Sequence, residues 1–334
     1  MYKILFFNSM IMGTLIAISS YTWLGMWVGL EINLLSIIPL MNSSKNMFSS
    51  EASLKYFITQ ALASLILLLS ILLMLVTNEF ITPMVNSALV TLLNSALLTK
   101  LGAAPFHYWF PEVLEGLNWI NCSILLTWQK IAPMALLMNN TIQTKFLFIV
   151  IIVSLLVSTT MSLNQISLRK IMAFSSINHI AWMISSMMTS FSIWLIYLSI
   201  YMVITLTITW IFNFKKMFFI NQIPGILNKD KSMKLTFMIN FLSLGGLPPF
   251  LGFLPKWLAV NWLIMNNYEL LSIILIMSTL VLLFVYIRVL LTALVMMHSE
   301  PKLLSKKVNK HSLALINFFS ITSLISSTFL YNFL

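Results

Sequence analysis

The sequence predicts an all-α, polytopic membrane protein with about 11 transmembrane helices. Three observations carry that reading. The 334 residues are 60% hydrophobic and 8% charged, where a soluble domain carries about 25% charged residues. Apolar runs of about 20 residues, enough to cross a bilayer, recur along the chain with the charges gathered between them. Two of these runs are also interrupted by glycine and proline, and each carries a lysine. A single soluble core is excluded.

In chain order the predicted spans are 4–20, 22–41, 54–76, 84–115, 121–138, 146–163, 170–188, 191–212, 233–265, 270–296 and 311–333. The fourth and ninth, at roughly 32 residues, would measure about 48 Å as straight helices, too long for one crossing. The fourth contains Lys100-Leu101-Gly102-Ala103-Ala104-Pro105, and the ninth Gly245-Gly246-Leu247-Pro248-Pro249 before Lys256. Proline removes an amide donor and clashes with the preceding turn. In a bilayer a broken helix survives only where protein or a wet cavity satisfies the freed backbone groups. Gly102, Pro105, Gly245, Gly246, Pro248 and Pro249 are therefore predicted to divide each segment into two half-helices.

Loop charges orient the chain. Alternating loops place Lys3, Lys45, Lys55, Arg169, Lys170, Lys215, Lys216, Lys229, Lys231, Lys234, Lys302, Lys306, Lys307 and Lys310 on one side, and Lys145 alone on the other. This asymmetry marks the first side, with the N-terminus, as inner and the C-terminus as outer. The net charge of +11 is then a topology signal, and nucleic acid is not an expected partner. The fourth and ninth spans cross in opposite directions. The pattern fits two inverted five-helix repeats, 1–140 and 145–297, plus a closing helix at 311–333, a plan many transporters share. The sequence shows no clear residue-level repeat, so this plan rests on topology and the paired breaks.

One cysteine, Cys122, excludes an intrachain disulfide and makes a cysteine-bound cluster implausible. No signal or transit peptide is expected. Nothing resembles a phosphate loop, a dinucleotide fingerprint, a metal-spaced cluster or a nucleophile triad. No metal, cofactor or redox centre is expected in the chain.

The charges left inside the spans are Glu31, Lys100, Lys130 and Lys256, with Arg288 near the basic end of span ten. An ionisable group at the bilayer centre costs roughly 2.5–3.5 kcal/mol on insertion scales, faces the bundle interior and marks a path. Glu31 reads either as a structural ion pair or as the partner of Lys100, whose protonation the pair would switch. Lys100 sits toward the inner side and has snorkelling as its alternative, whereas Lys130 and Lys256 are central. Arg288 is expected to snorkel to the inner interface. His107 at the first break and His179 in mid-span are each a possible relay, although satisfied polar packing is the commoner role.

At these residues the chain resembles the subunit-2 family of antiporter-like membrane subunits of NADH–ubiquinone oxidoreductase, respiratory complex I, in an insect-like mitochondrial form. The match is carried by Gly29-Leu30-Glu31-Ile32-Asn33, Lys100 through Pro111, Trp128-Gln129-Lys130-Ile131-Ala132-Pro133, Leu168 through His179 and Asn240 through Trp257. Abundant Met, Phe, Ile and Asn, and only two arginines, resemble an AT-rich coding sequence such as an animal mitochondrial genome.

The resemblance implies a proton channel coupled at a distance to NADH oxidation and ubiquinone reduction. Glu31 and Lys100 would be its acid–lysine pair, Lys130 its central relay and Lys256 the lysine of the second half-channel. It implies FMN, iron–sulfur clusters and ubiquinone in other subunits. It also implies subunit 4, subunit 4L toward subunit 6, supernumerary subunits and phospholipids as neighbours, in the mitochondrial inner membrane with the N-terminus in the matrix and the C-terminus in the intermembrane space. An autonomous cation/proton antiporter and a non-conducting spacer of the membrane arm are the alternatives.

Overall fold

In the computed structural model, residues 2–42, 46–77, 83–140, 143–227 and 230–294 are described. Among them every regular element is helical, and β pairing is confined to one isolated bridge between Ser167 and Phe219. The predicted closing span 311–333 lies outside the described residues. Among the described residues seven stretches are long and apolar enough to cross a membrane. The chain divides into two compact units within one helix, between Ser154 and Leu155.

The first unit begins with α1 (Tyr2–Ser19) and α2 (Trp23–Met41). Thr22 caps α2, its hydroxyl accepting from Gly25 N, as N-cap threonines do. The two helices touch backbone to backbone. A Cβ on Gly29 would stand 2.4 Å from Ala17 N, and one on Gly13 would stand 2.8 Å from Asn33 N. Small residues allow such an approach where lipid offers no hydrophobic drive between helices. The crossing fixes the position of α2, and with it Asn33, whose backbone lies against α1 at Gly13.

Helix α3 (Met47–Thr77) starts earlier than predicted. Lys55, expected in a loop, lies two turns inside it and pairs with Glu51 at 3.0 Å and with Glu112 at 2.9 Å. The i,i+4 spacing of Glu51 and Lys55 favours helix, which is why the element extends past its apolar stretch. The fourth span divides as its glycine and proline predict, into α4 (Pro83–Leu101) and α5 (Trp109–Gly116).

The fifth span corrects the sequence reading, because it too is broken. Helices α6 (Trp119–Leu126) and α7 (Trp128–Met138) meet at Thr127 with φ −116° and ψ −73°. Thr127 Oγ1 donates to Ser123 O at 2.6 Å, a back-bond that bends helices. Pro133 withholds the amide that would reach Gln129 O. Lys130 thus occupies the first turn after a kink rather than the middle of a straight rod.

Helix α8 (Thr144–Ser162) leads into the second unit, which holds α9 (Leu168–Met187), α10 (Phe191–Lys215), a short α11 (Ile223–Leu227), α12 (Lys231–Gly245), α13 (Phe253–Met265) and α14 (Glu269–Leu294). Every residue of α9 from Ile171 to Met187 is buried, as a helix enclosed on all sides requires. Its serines meet that burial by donating to carbonyls three residues back, as Ser175 Oγ does to Met172 O at 2.8 Å. Lys215 in the last turn of α10 pairs with Asp230 ahead of α12.

Arg288, on α14, reaches the loop between α8 and α9. Its guanidinium donates to Leu163 O at 2.5 Å and Gln165 O at 2.9 Å, fixing α14 to the turn that precedes α9.

Candidate functional site

The two predicted breaks share a backbone design. Gly102 (φ +75°) ends α4 and Gly246 (φ +77°) ends α12, both in the left-handed region that glycine enters without penalty. Ala103 N donates to Leu98 O and Leu247 N to Leu242 O, while Gly102 N reaches Thr99 O and Gly246 N reaches Ser243 O. These six-to-one closures satisfy orphan carbonyls in a Schellman-type end. Phe106 N then returns to Ala103 O, and Phe250 N to Leu247 O. The peptides preceding Pro105 and Pro249 are both cis.

Leu98, Gly102, Pro105, Phe106 and Pro111 each recur as the same residue type 144 positions later, at Leu242, Gly246, Pro249, Phe250 and Pro255. These five matches are a shared pattern at the two breaks. Its identities are too sparse to stand out until aligned on the two left-handed glycines.

In the first unit, Lys100 closes α4 and is 8% exposed. Its side chain faces a pocket lined also by Asn33, Tyr56, Gln60 and Gln129. The pocket measures about 10 Å³, the threshold for holding one water. Gln129 Nε2 donates to Asn33 Oδ1 at 2.8 Å, and Tyr56 Oη donates to Gln129 Oε1 at 3.4 Å. Gln60 Nε2 reaches the Lys100 carbonyl at 3.4 Å, and Trp109 Nε1 the Thr99 carbonyl at 3.0 Å. Neutral donors therefore cap the broken end of α4.

Glu31 is half-buried on α2, and among the described residues no ion pair joins it to Lys100. Lys130 is 3% exposed, follows Gln129 of the pocket lining and holds Nζ 5.8 Å from the Phe110 ring centroid. His107 is buried within the break beside Tyr108, with ring centroids 4.4 Å apart.

In the second unit, Lys256 lies on the first turn of α13 and turns back to α12. Its Nζ donates to Gly245 O at 2.9 Å and Leu244 O at 3.3 Å. A cation at a helix carboxyl end meets the negative pole of the dipole. The same position in the first break is Glu112, which instead points to Lys55. His179 Nδ1 and Tyr197 Oη are 2.9 Å apart, and the Tyr201 ring is 5.0 Å from the imidazole.

Sequence reasoning found the charged residues and the glycine–proline breaks. It missed Asn33, Tyr56, Gln60, Gln129, Tyr197 and Tyr201, the neutral polar groups around those charges. Four of them follow the helical repeat of their own elements inward (Tyr56 with Gln60, Tyr197 with Tyr201), and that i,i+4 pairing of polar residues on apolar helices is the signal that could have revealed them. Among the described residues no three His, Cys, Asp or Glu side chains converge as a metal site would require.

Broken helices with lysines at their junctions define a class of membrane transport subunit. The model of the NADH:quinone oxidoreductase/Mrp antiporter transmembrane family matches residues 20–283, and the chain belongs to that family. It is 45% identical to the NADH-ubiquinone oxidoreductase chain 2 of Anopheles gambiae, covering 98% of this chain and 97% of that one. Against the protein of the same name from Aedes aegypti it is 47% identical, again over 98% and 97%. A chain of respiratory complex I from Thermus thermophilus with bound aureothin has the same fold, with a TM-score of 0.87 and 23% identity over 98% of this chain and 78% of that one.

Proposed function

We propose that the chain is the antiporter-like, proton-translocating subunit of the membrane arm of NADH:ubiquinone oxidoreductase in the mitochondrial inner membrane. It handles no electrons itself. Redox energy reaches it from subunits that carry FMN, iron–sulfur clusters and ubiquinone. Its neighbours are subunit 4, subunit 4L toward subunit 6, supernumerary subunits and phospholipids. The N-terminus faces the matrix and the C-terminus the intermembrane space, and the chain is organised as two inverted five-helix repeats with a closing helix. The 144-residue match of the two breaks supports that organisation.

One observation carries the reading: each break places a buried or half-buried titratable lysine at a helix end, Lys100 in the last turn of α4 and Lys256 against the end of α12. Glu31, Lys100 and Lys130 serve the first unit and Lys256 the second, with His107 and His179 as further relay groups. A proton entering a unit changes the charge on its lysine, and that change alters the affinity of the next group for a proton. The small cavity beside each break gives water a place to stand.

The test is the number of protons moved per electron by the assembled complex in sealed vesicles. Lys130→Ala and Lys256→Ala lower the ratio, and a wild-type ratio in both overturns the assignment. Sodium- or potassium-driven proton flux through the isolated chain would instead support an autonomous antiporter. Full pumping by a complex whose ordered map shows no water between the charged residues would support a spacer.

A further inference from the structure

Tyr197 is held more firmly than a packing tyrosine needs. It is 1% exposed, its ring stacks on Trp182 at 6.4 Å and 15°, and its hydroxyl meets His179 Nδ1 at 2.9 Å. A cavity of about 10 Å³ adjoins this pair, lined by His179, Tyr197, Ile200, Ser243, Leu244 and Pro255, with room for about one water. Three features tie the cavity to Lys256. Leu244, in its wall, gives its carbonyl to Lys256 Nζ at 3.3 Å. Trp182, which stacks on Tyr197, also lies under Lys256 Nζ at 5.9 Å from the ring centroid. Pro255, another lining residue, immediately precedes Lys256 in the chain.

We propose that Tyr197 is a positioning residue for proton transfer, holding His179 against this cavity so that a proton passes between His179 and Lys256 through one water. This deepens, and rests on, the proposed proton-translocating role. The hydrogen bond made by one imidazole nitrogen decides the role of the other. With Nδ1–H donated to Tyr197 Oη, Nε2 is the nitrogen that exchanges. The imidazolium gives its Nε2 proton to the water, and the water passes one of its own protons to the neutral Lys256 amine. A neutral imidazole and an ammonium remain, and Tyr197 accepts from Nδ1 throughout. A phenol, with its ordinary pKa near 10, stays protonated meanwhile. The titratable groups recorded against His179 within its unit are Tyr197 and Tyr201 on α10, with Lys256 on α13 bonded to Leu244 of the cavity wall.

The experiment compares Tyr197→Phe, Ile200→Phe and Lys256→Ala in the assembled complex, reading protons per electron across a pH series. Tyr197→Phe deletes one oxygen from the pair, and Ile200→Phe fills the cavity while leaving the pair intact. Both are expected to lose pumping in the direction of Lys256→Ala, and Tyr197→Phe also to shift the pH profile. A purely structural tyrosine would lower the amount of complex without moving that profile. Wild-type ratio and profile in Tyr197→Phe overturn the inference, and where Tyr197→Phe does not assemble a wild-type ratio in Ile200→Phe overturns it. A wild-type ratio in Lys256→Ala overturns the inference as well, and only a wild-type ratio in Lys130→Ala beside it overturns the broader functional reading.

Discussion

Lys256 closes the helix from which its own segment was cut: Nζ stands 2.9 Å from Gly245 O, eleven residues back. The contact needs the left-handed turn at Gly246, and the loop returns so tightly that a Cβ on Gly252 would lie 1.7 Å from Ser243 O. The candidate relay lysine is also a structural plug, so its two roles have to be separated by experiment.

Lys256→Gln is expected to separate them. The amide keeps a donor for the carbonyls of Leu244 and Gly245 but cannot take up a proton. Lys256→Ala leaves both carbonyls without that donor, at a cost of about 1–3 kcal/mol for a buried unsatisfied group. Glutamine should therefore assemble at near wild-type amounts, measured on native gels, yet pump no better than alanine.

Gly246→Ala and Gly102→Ala should cost similar stability and differ in function. Each forces an L-residue into left-handed backbone, worth roughly 1–2 kcal/mol. The new Cβ at 246 would come 2.7 Å from Lys256 Cδ and 2.9 Å from its Nζ, whereas at 102 it would meet only the Phe110 side chain at 3.2 Å. Thermal unfolding of the two complexes should shift alike, with the larger loss of protons per electron in Gly246→Ala.

Gly29→Leu should prevent incorporation of the subunit. Its Cβ alone would collide with the α1 backbone at 2.4 Å, and no rotamer relieves a backbone clash. Helices α1 and α2 would separate and carry Glu31 and Asn33 away from the Lys100 pocket. Pulse-labelled assembly on native gels should show the rest of the complex without this chain.

Gln129→Leu should weaken the first unit while leaving the break at Gly102 intact. It strands Asn33 Oδ1 and removes the acceptor of Tyr56 Oη. A cost of about 1–3 kcal/mol is expected per buried polar group left unpaired. It should appear as a lower melting temperature, and Gln129→Glu, which restores an acceptor, should recover part of it.

The sequence showed where helices cross and where two of them break, because a glycine–proline cluster in an apolar run leaves few alternatives. It did not show the third break at Thr127, where the cause is one hydroxyl bonding back a turn combined with Pro133 six residues on. Neither residue alone breaks a helix in lipid. Lys55 was misplaced for a related reason. Hydropathy treats a charge as a boundary, whereas Glu51 and Glu112 keep Lys55 on its helix. The charged half of the candidate site was legible because charge is conspicuous in an apolar chain. The tyrosines and amides around it were not, since their roles depend on which faces of separate helices come together.

The enclosure of α9 has an evolutionary consequence. Helices such as α1, α3 and α14 present broad outward faces on which leucine, isoleucine, methionine and phenylalanine can replace one another as nucleotide composition drifts. From Ile171 to Met187 no such face exists. A single methylene gained or lost there is felt by packed neighbours. Neutral drift should therefore accumulate on the chain's outer faces and largely spare this stretch, which would read as the slow-changing axis of a fast-changing gene.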